Sequence, residues 1–138
     1  NTFHSHPGYY IDYFEMRLAQ LQVLHNLHYE IKKIRKMPKQ ALVIADYIMY
    51  MADYVVEMNI PDQQIEKLEE ISEQMKQEEL PKTREEFEGR ALLYHILMDL
   101  EEFLVYKKRF VNGLDEKKLR IYWKQEMEQK DSANELQK

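Results

Sequence analysis

Cysteine is absent, which excludes disulfides and thiol chemistry. Only three glycines and four prolines occur, too few breaks for a fold assembled from many short strands and turns. No stretch reaches the roughly 18 uncharged apolar residues that a membrane span requires, so this segment is not expected to insert in a bilayer. Acidic residues outnumber basic ones, and the net charge of -5 argues against nucleic acid as a partner, because phosphate recognition needs a clustered basic face. What is present fits a single domain. Over 138 residues, 44% are hydrophobic, enough to bury a core of ordinary size and to exclude a wholly disordered chain. A charged fraction of 33% suits a bundle with solvated outer faces.

The few breaks fall in a regular order. Pro7-Gly8, Pro38, Pro61, Pro81 and Asn112-Gly113 divide the chain into five helical segments. The expected fold is therefore all-α, a bundle of about five helices with a long central helix over about residues 83–112. Residues 1–8 form a lead-in, 9–130 the bundle, and 131–138 a polar tail that frays. The central helix opens on a capping box, Thr83-x-x-Glu86, with Thr83 capping the amide three residues on and Glu86 reaching back to Thr83. Its length is about 45 Å at roughly 1.5 Å per residue. Its middle, Ala91 to Met98, is apolar on nearly every side, which predicts neighbours on several faces. Gly89 is the one glycine inside a helix, and close approach of a neighbour accounts for it.

The other helices read as amphipathic. In the first, from Tyr9 to about Lys36, one apolar line runs through Phe14, Leu18, Leu21, His28 and Ile31, and another through Tyr13, Leu24, Leu27 and Ile34. Its last turns carry Lys32, Lys33, Arg35 and Lys36, which suit the negative end of the helix dipole. The second helix is read from Ala41 to Met58. The third follows an N-cap at Asp62 and presents one narrow stripe, Ile65, Leu68, Ile71 and Met75, amid glutamates, as an outer helix should. Asn112-Gly113 stops the central helix, Gly113 being able to take the left-handed conformation. A short last helix restarts with Asp115 as N-cap, Leu114 and Leu119 as a hydrophobic staple, and Leu119, Trp123 and Met127 on one side.

Several side chains invite a chemical reading. His95 and Asp99, four apart on the central helix, can hydrogen-bond as an acid–base pair; the plainer reading is a satisfied polar pair inside a helical interface. Asp46, Tyr50, Asp53 and Glu57 make an acidic stripe with aromatic shoulders. It is either a solvated face or a groove lining that accepts a cation or basic partner. His4-x-His6 and His25-x-x-His28 are metal ligands by type, but core or partly buried histidine is the expectation. No Glu-x-x-His occurs, which excludes the di-iron bundle pattern. Neither a metal nor a cofactor is expected. With no activated nucleophile and no glycine-rich phosphate loop, neither is an enzyme. Arg84–Glu88 and Glu86–Arg90 read as ordinary i,i+4 ion pairs. Ten tyrosines and eight methionines lie mostly at core spacings, and can also line a pocket for an aromatic ligand.

One run is specific enough to compare. Leu80-Pro81-Lys82-Thr83-Arg84-Glu85-Glu86-Phe87, continuing through Glu88-Gly89-Arg90-Ala91-Leu92-Leu93 and joined by Asp99-Leu100-Glu101-Glu102-Phe103-Leu104, resembles the C-terminal domain of the putative aromatic acid exporters. These are bacterial membrane proteins related to the fusaric-acid-resistance transporters. The first helix is similar too, and the resemblance covers about Tyr9 to Val111. It implies a cytoplasmic helical domain at the inner face of the cell membrane, following a multi-span membrane domain, with a regulatory or assembly role. The partners it implies are that upstream transmembrane domain and a possible homo-oligomer. The family motif maps onto Pro81, Thr83, Arg84, Glu85, Glu86, Phe87 and Arg90, where the residues already read as helix-start chemistry. A first residue Asn1 rather than Met, and the aromatics Phe3, Tyr9, Tyr10, Tyr13 and Phe14, fit a segment that continues from a bilayer. The competing reading is a free-standing helical bundle for protein interaction or small-ligand sensing.

Overall fold

The computed structural model describes residues 6–34, 36, 38–114 and 116–124. Among these the structure is helical, without strands: α1 (Pro7–Lys32), α2 (Ala41–Ala52), α3 (Asp62–Lys76), α4 (Arg84–Asn112) and α5 (Glu116–Leu119), the last running on as a π-helical turn, Arg120–Lys124. The expected frayed tail at 131–138, His4, Met127 and the N-cap at Asp115 lie outside the described residues.

Helix α4 is the organising element, as its length implied. It packs mainly on α1 and also on α3 and α2. Gln20 meets Phe103, and Tyr13 meets Phe110, while Glu30 meets His95; the pairs run in opposite order, so α1 and α4 are antiparallel. Its buried residues, among them Leu93, Ile96, Leu97, Leu100, Phe103 and Leu104, join Ile44, Tyr47 and Met51 of α2 and Leu68, Ile71 and Met75 of α3 in the main core. The apolar middle is not enclosed on every side, however. Ala91 and His95 face out and Met98 is 64% exposed, because no element among the described residues covers that edge of α4. A second cluster, Tyr9, Met16, Phe110, Val111 and Trp123, ties α5's π-helical turn to the start of α1 and the end of α4.

Several boundaries move. Helix α1 starts at Pro7, whose fixed φ suits the first helical position. Helix α2 stops at Ala52, well short of Met58. Buried Lys107 of α4 donates to the carbonyls of Val56 and Glu57, at 2.7 and 2.6 Å, and these acceptors are available only where the chain has left the helix. Pro61, rather than Asp62, occupies the N-cap of α3, and the Asp62 carboxylate instead pairs with Lys108 at 2.5 Å. Gly113 stays right-handed at φ -74°, its amide bonded back to Arg109. Gly89 meets its expectation: a Cβ there would lie 3.1 Å from Pro38 Cγ, so the α1–α2 connection crosses α4 at that point.

The face of α1 differs most. The buried line is Tyr9, Met16, Gln20, Val23, Leu27 and Glu30, while Phe14, Leu18 and Leu21 point outward, each more than half exposed. Two polar residues lie inside because each has a partner on α4. Gln20 Nε2 donates to the Phe103 carbonyl at 2.8 Å, and Glu30 Oε1 meets His95 Nε2 at 2.5 Å. Counting apolar residues alone therefore selects the wrong side.

Candidate functional site

The last turn of α1 and the middle of α4 bring together Glu30, His95 and Asp99. His95 and Asp99 share a face of α4 by their four-residue spacing. The expected His95–Asp99 bond is replaced: the imidazole turns to Glu30, which sits opposite on α1. Glu30 and Asp99 are both buried, and their carboxyl groups approach closely enough that Glu30 is held above the usual carboxylate range, first by burial and then by the Asp99 carboxyl beside it. His95 partly offsets this. No donor among the described residues reaches Glu30 Oε2 or Asp99 Oδ2, although both atoms are shut off from solvent. His95 closes the site from the outside and is itself half exposed. The arrangement offers one imidazole nitrogen and two carboxylates, and can hold either a shared proton or a cation.

Glu30 was not singled out from the sequence, though a signal existed. The 4,3,4,3 spacing of Tyr9, Tyr13, Met16, Gln20, Val23, Leu27 and Glu30 is a continuous inward line that ends on a charge.

The other candidates do not converge. Asp46 and Tyr50 line an open groove of about 290 Å³ beside α3, where Lys67 Nζ lies 4.0 Å from the Tyr50 ring centre and Gln64 reaches the Tyr50 hydroxyl. Asp53 lies past the end of α2, and Glu57 accepts from the Tyr9 hydroxyl at 3.0 Å. The expected acidic stripe is thus divided among separate contacts. His25 and His28 are exposed, not core.

The motif residues form the start of α4. Thr83 Oγ1 accepts from the Glu86 amide at 3.1 Å. The Glu86 carboxylate accepts from the Lys82 amide, and the Arg90 guanidinium donates to the Glu79 carbonyl, so the expected Glu86–Arg90 pair gives way to contacts that fix the α3–α4 turn. Pro81, Phe87 and Arg90, with Met75, Leu80 and Tyr94, line an open, largely apolar groove of about 450 Å³. Arg84 and Glu85 lie exposed in the first turn, where Glu85 complements the helix dipole.

The described residues form an all-helical bundle around a capped long helix, with no helix among them long and apolar enough to cross a membrane. Residues 1–108 match the family described as putative aromatic acid exporter C-terminal domain, and the chain belongs to that family. It is similar to the Bacillus subtilis (strain 168) protein described as uncharacterized protein YqjA, with 32% identity over 98 residues, covering 71% of this chain and 30% of that relative. The chain thus spans about 30% of the length of that relative. No solved structure matches.

Proposed function

We propose that this domain lies at the cytoplasmic face of the cell membrane, carried by the membrane portion of an aromatic acid exporter. There it acts in assembly of that transporter rather than as an enzyme. Family membership supports a membrane portion in the same polypeptide. The observation that carries the assembly role is the outward face of α1. Ile11, Phe14, Leu18 and Leu21, each 52–65% exposed, recur at 3,4,3 spacing and continue into exposed His25 and His28. An apolar stripe of this kind on a surface helix marks a contact, and its spacing is that of a coiled-coil seam.

The occupant that fits is a second copy of the same helix, antiparallel. The stripe is symmetric about its centre: Leu18 falls opposite Leu21 of the second copy, Phe14 opposite His25, and Ile11 opposite His28. Self-complementarity of this sort is what a two-fold interface requires. Sedimentation of the chain across micromolar concentrations should show a monomer–dimer equilibrium, abolished by Leu18→Glu with Leu21→Glu while the helical circular dichroism is kept. A wild-type chain that stays monomeric throughout would remove the assembly reading.

The groove at the α3–α4 turn favours a second reading, small-ligand sensing. Phe87 and Tyr94 offer aromatic faces, and Arg90 a cation at the rim. An aromatic carboxylate such as benzoate is the probe. Saturable binding lost in Phe87→Ala would support this reading, and its absence would leave the groove as part of the turn.

A further inference from the structure

Two buried carboxyl groups facing one another need something between them. Glu30 is 8% and Asp99 9% exposed, and each keeps an oxygen that no donor among the described residues reaches. Two ionised carboxylates side by side in the interior, with only the half-exposed His95 against one of them, are costly, and the interior resolves it with a proton or a cation. The third member adds a nitrogen donor. One ligand atom from each of Glu30, His95 and Asp99 falls within 4.8 Å of the others. A proton uses only the two carboxyl oxygens, whereas a metal ion would use all three donors.

We propose that Glu30, His95 and Asp99 bind one divalent transition-metal ion of the zinc class at the α1–α4 contact. The donor set selects the class. A hard ion such as calcium needs six or more oxygens, which this site does not offer. One imidazole and two carboxylates give three ligands of the kind zinc takes, leaving a fourth position for water on the exposed side of His95. The His95–Glu30 edge is close to what that requires, and Asp99 lies within 4.8 Å of both. Tetrahedral ligands at about 2.0 Å from the ion stand roughly 3.3 Å apart. His95 Nε2 and Glu30 Oε1, now 2.5 Å apart, would part by less than about an ångström, a rotamer adjustment at a half-exposed histidine. Both supporting helices are already held in register by the Gln20–Phe103 bond, about one turn beyond Asp99 on α4. The bound ion would therefore staple the end of α1 to the middle of α4, and its site is independent of the outward stripe on which the assembly reading rests.

The test is zinc titration of the metal-free 138-residue chain by calorimetry, with cobalt(II) absorption as a second readout of coordination. One ion per chain is expected, with a rise in melting temperature on zinc addition by mass action. His95→Ala, with helical circular dichroism confirming that the bundle is kept, should weaken zinc binding at least about tenfold and abolish the tetrahedral cobalt spectrum. Asp99→Asn should do the same. His25→Ala with His28→Ala, which removes the exposed histidine pair on α1, should leave both unchanged. Two results overturn the proposal. One is zinc binding that survives His95→Ala and is lost with His25 and His28. The other is no saturable binding at all, with Asp99→Asn raising the melting temperature of the metal-free chain, which would identify a proton-sharing carboxyl pair.

Discussion

The Thr83 hydroxyl accepts the Glu86 amide, yet the Glu86 carboxylate turns past Thr83 to the Lys82 amide. The capping box is thus shifted by one residue on its return arm, so that it secures the turn after Pro81 as well as the first turn of α4. Both bonds are exposed, and their values differ. Thr83→Ala should lower stability by about 1 kcal/mol, the usual cost of such a cap, and Glu86→Gln by only a few tenths, since the amide oxygen can still accept. Urea midpoints at constant m-value would measure both. A loss with Glu86→Gln larger than with Thr83→Ala would show that the turn, not the cap, dominates.

The adjacent pair Leu97 and Met98 tests how α4 is covered. Leu97 is 3% exposed within the main core, whereas Met98 points outward. Leu97→Ala should cost roughly 2–5 kcal/mol, the range for emptying a close-packed site. Met98→Ala should fall within about 0.5 kcal/mol of neutral. Equal losses would mean that something covers the outer edge of α4 as well.

How far the sequence carries is clear from particular residues. The breaks at Pro38, Pro61 and Pro81 place the helices, because proline and its neighbours restrict the backbone locally and need no tertiary context. The Thr83 cap was legible because it is likewise local, and the close approach at Gly89 because a glycine inside a helix carries a local cost that a neighbour's approach explains. The inward face of α1 was not. Its 4,3,4,3 line includes the polar Gln20 and Glu30, and only their partners on α4, distant in sequence, show why these two turn inward. The site followed suit: His95 and Asp99 were visible as neighbours on one helix, while Glu30, which completes the group, arrives from another. The end of α2 was missed because Lys107, far along the chain, captures the carbonyls that release it.

Lys107 gives the fold a pH signature. Burial, and then the charge of Arg17, lower its pKa from 10.5 to about 8, with Glu57 opposing. Above about 8 the folded chain gives up this proton while the unfolded chain still holds it. The unfolded state then binds more protons, so stability should rise with pH from about 8 toward 10. Beyond about 10 the trend should reverse, because burial raises the phenols of Tyr9 and Tyr47 above their ordinary value of 10.0, and the unfolded chain loses those protons first. Lys107→Met should remove the rise and, by stranding the Val56 and Glu57 carbonyls, cost roughly 1.5–3 kcal/mol near neutral pH. Denaturant titrations at pH 7, 8, 9 and 10 would check this; a wild-type curve that only falls over that range would contradict it.

One hydroxyl sits at the join between the two ends of the described chain, within the second apolar cluster. Tyr9 Oη donates to Glu57 at 3.0 Å and accepts from Trp123 Nε1 at 2.8 Å, while its ring packs on Phe110 and Tyr122. Tyr9→Phe keeps the packing and leaves the buried indole N–H without an acceptor, a loss of about 1–3 kcal/mol. Trp123→Phe removes the donor as well, so the double variant should be less destabilised than the sum of the two singles, the mark of a direct pair. Trp123 is the one tryptophan in the chain, so its fluorescence reports this corner alone in every variant that retains it. In Tyr9→Phe its unfolding transition should separate from that of the helical circular dichroism, Trp123 releasing at lower denaturant than the main core around Leu97. Coincident transitions, together with strictly additive losses measured by circular dichroism, would show that the Tyr9–Trp123 bond contributes nothing of its own to holding the last described turn on the bundle.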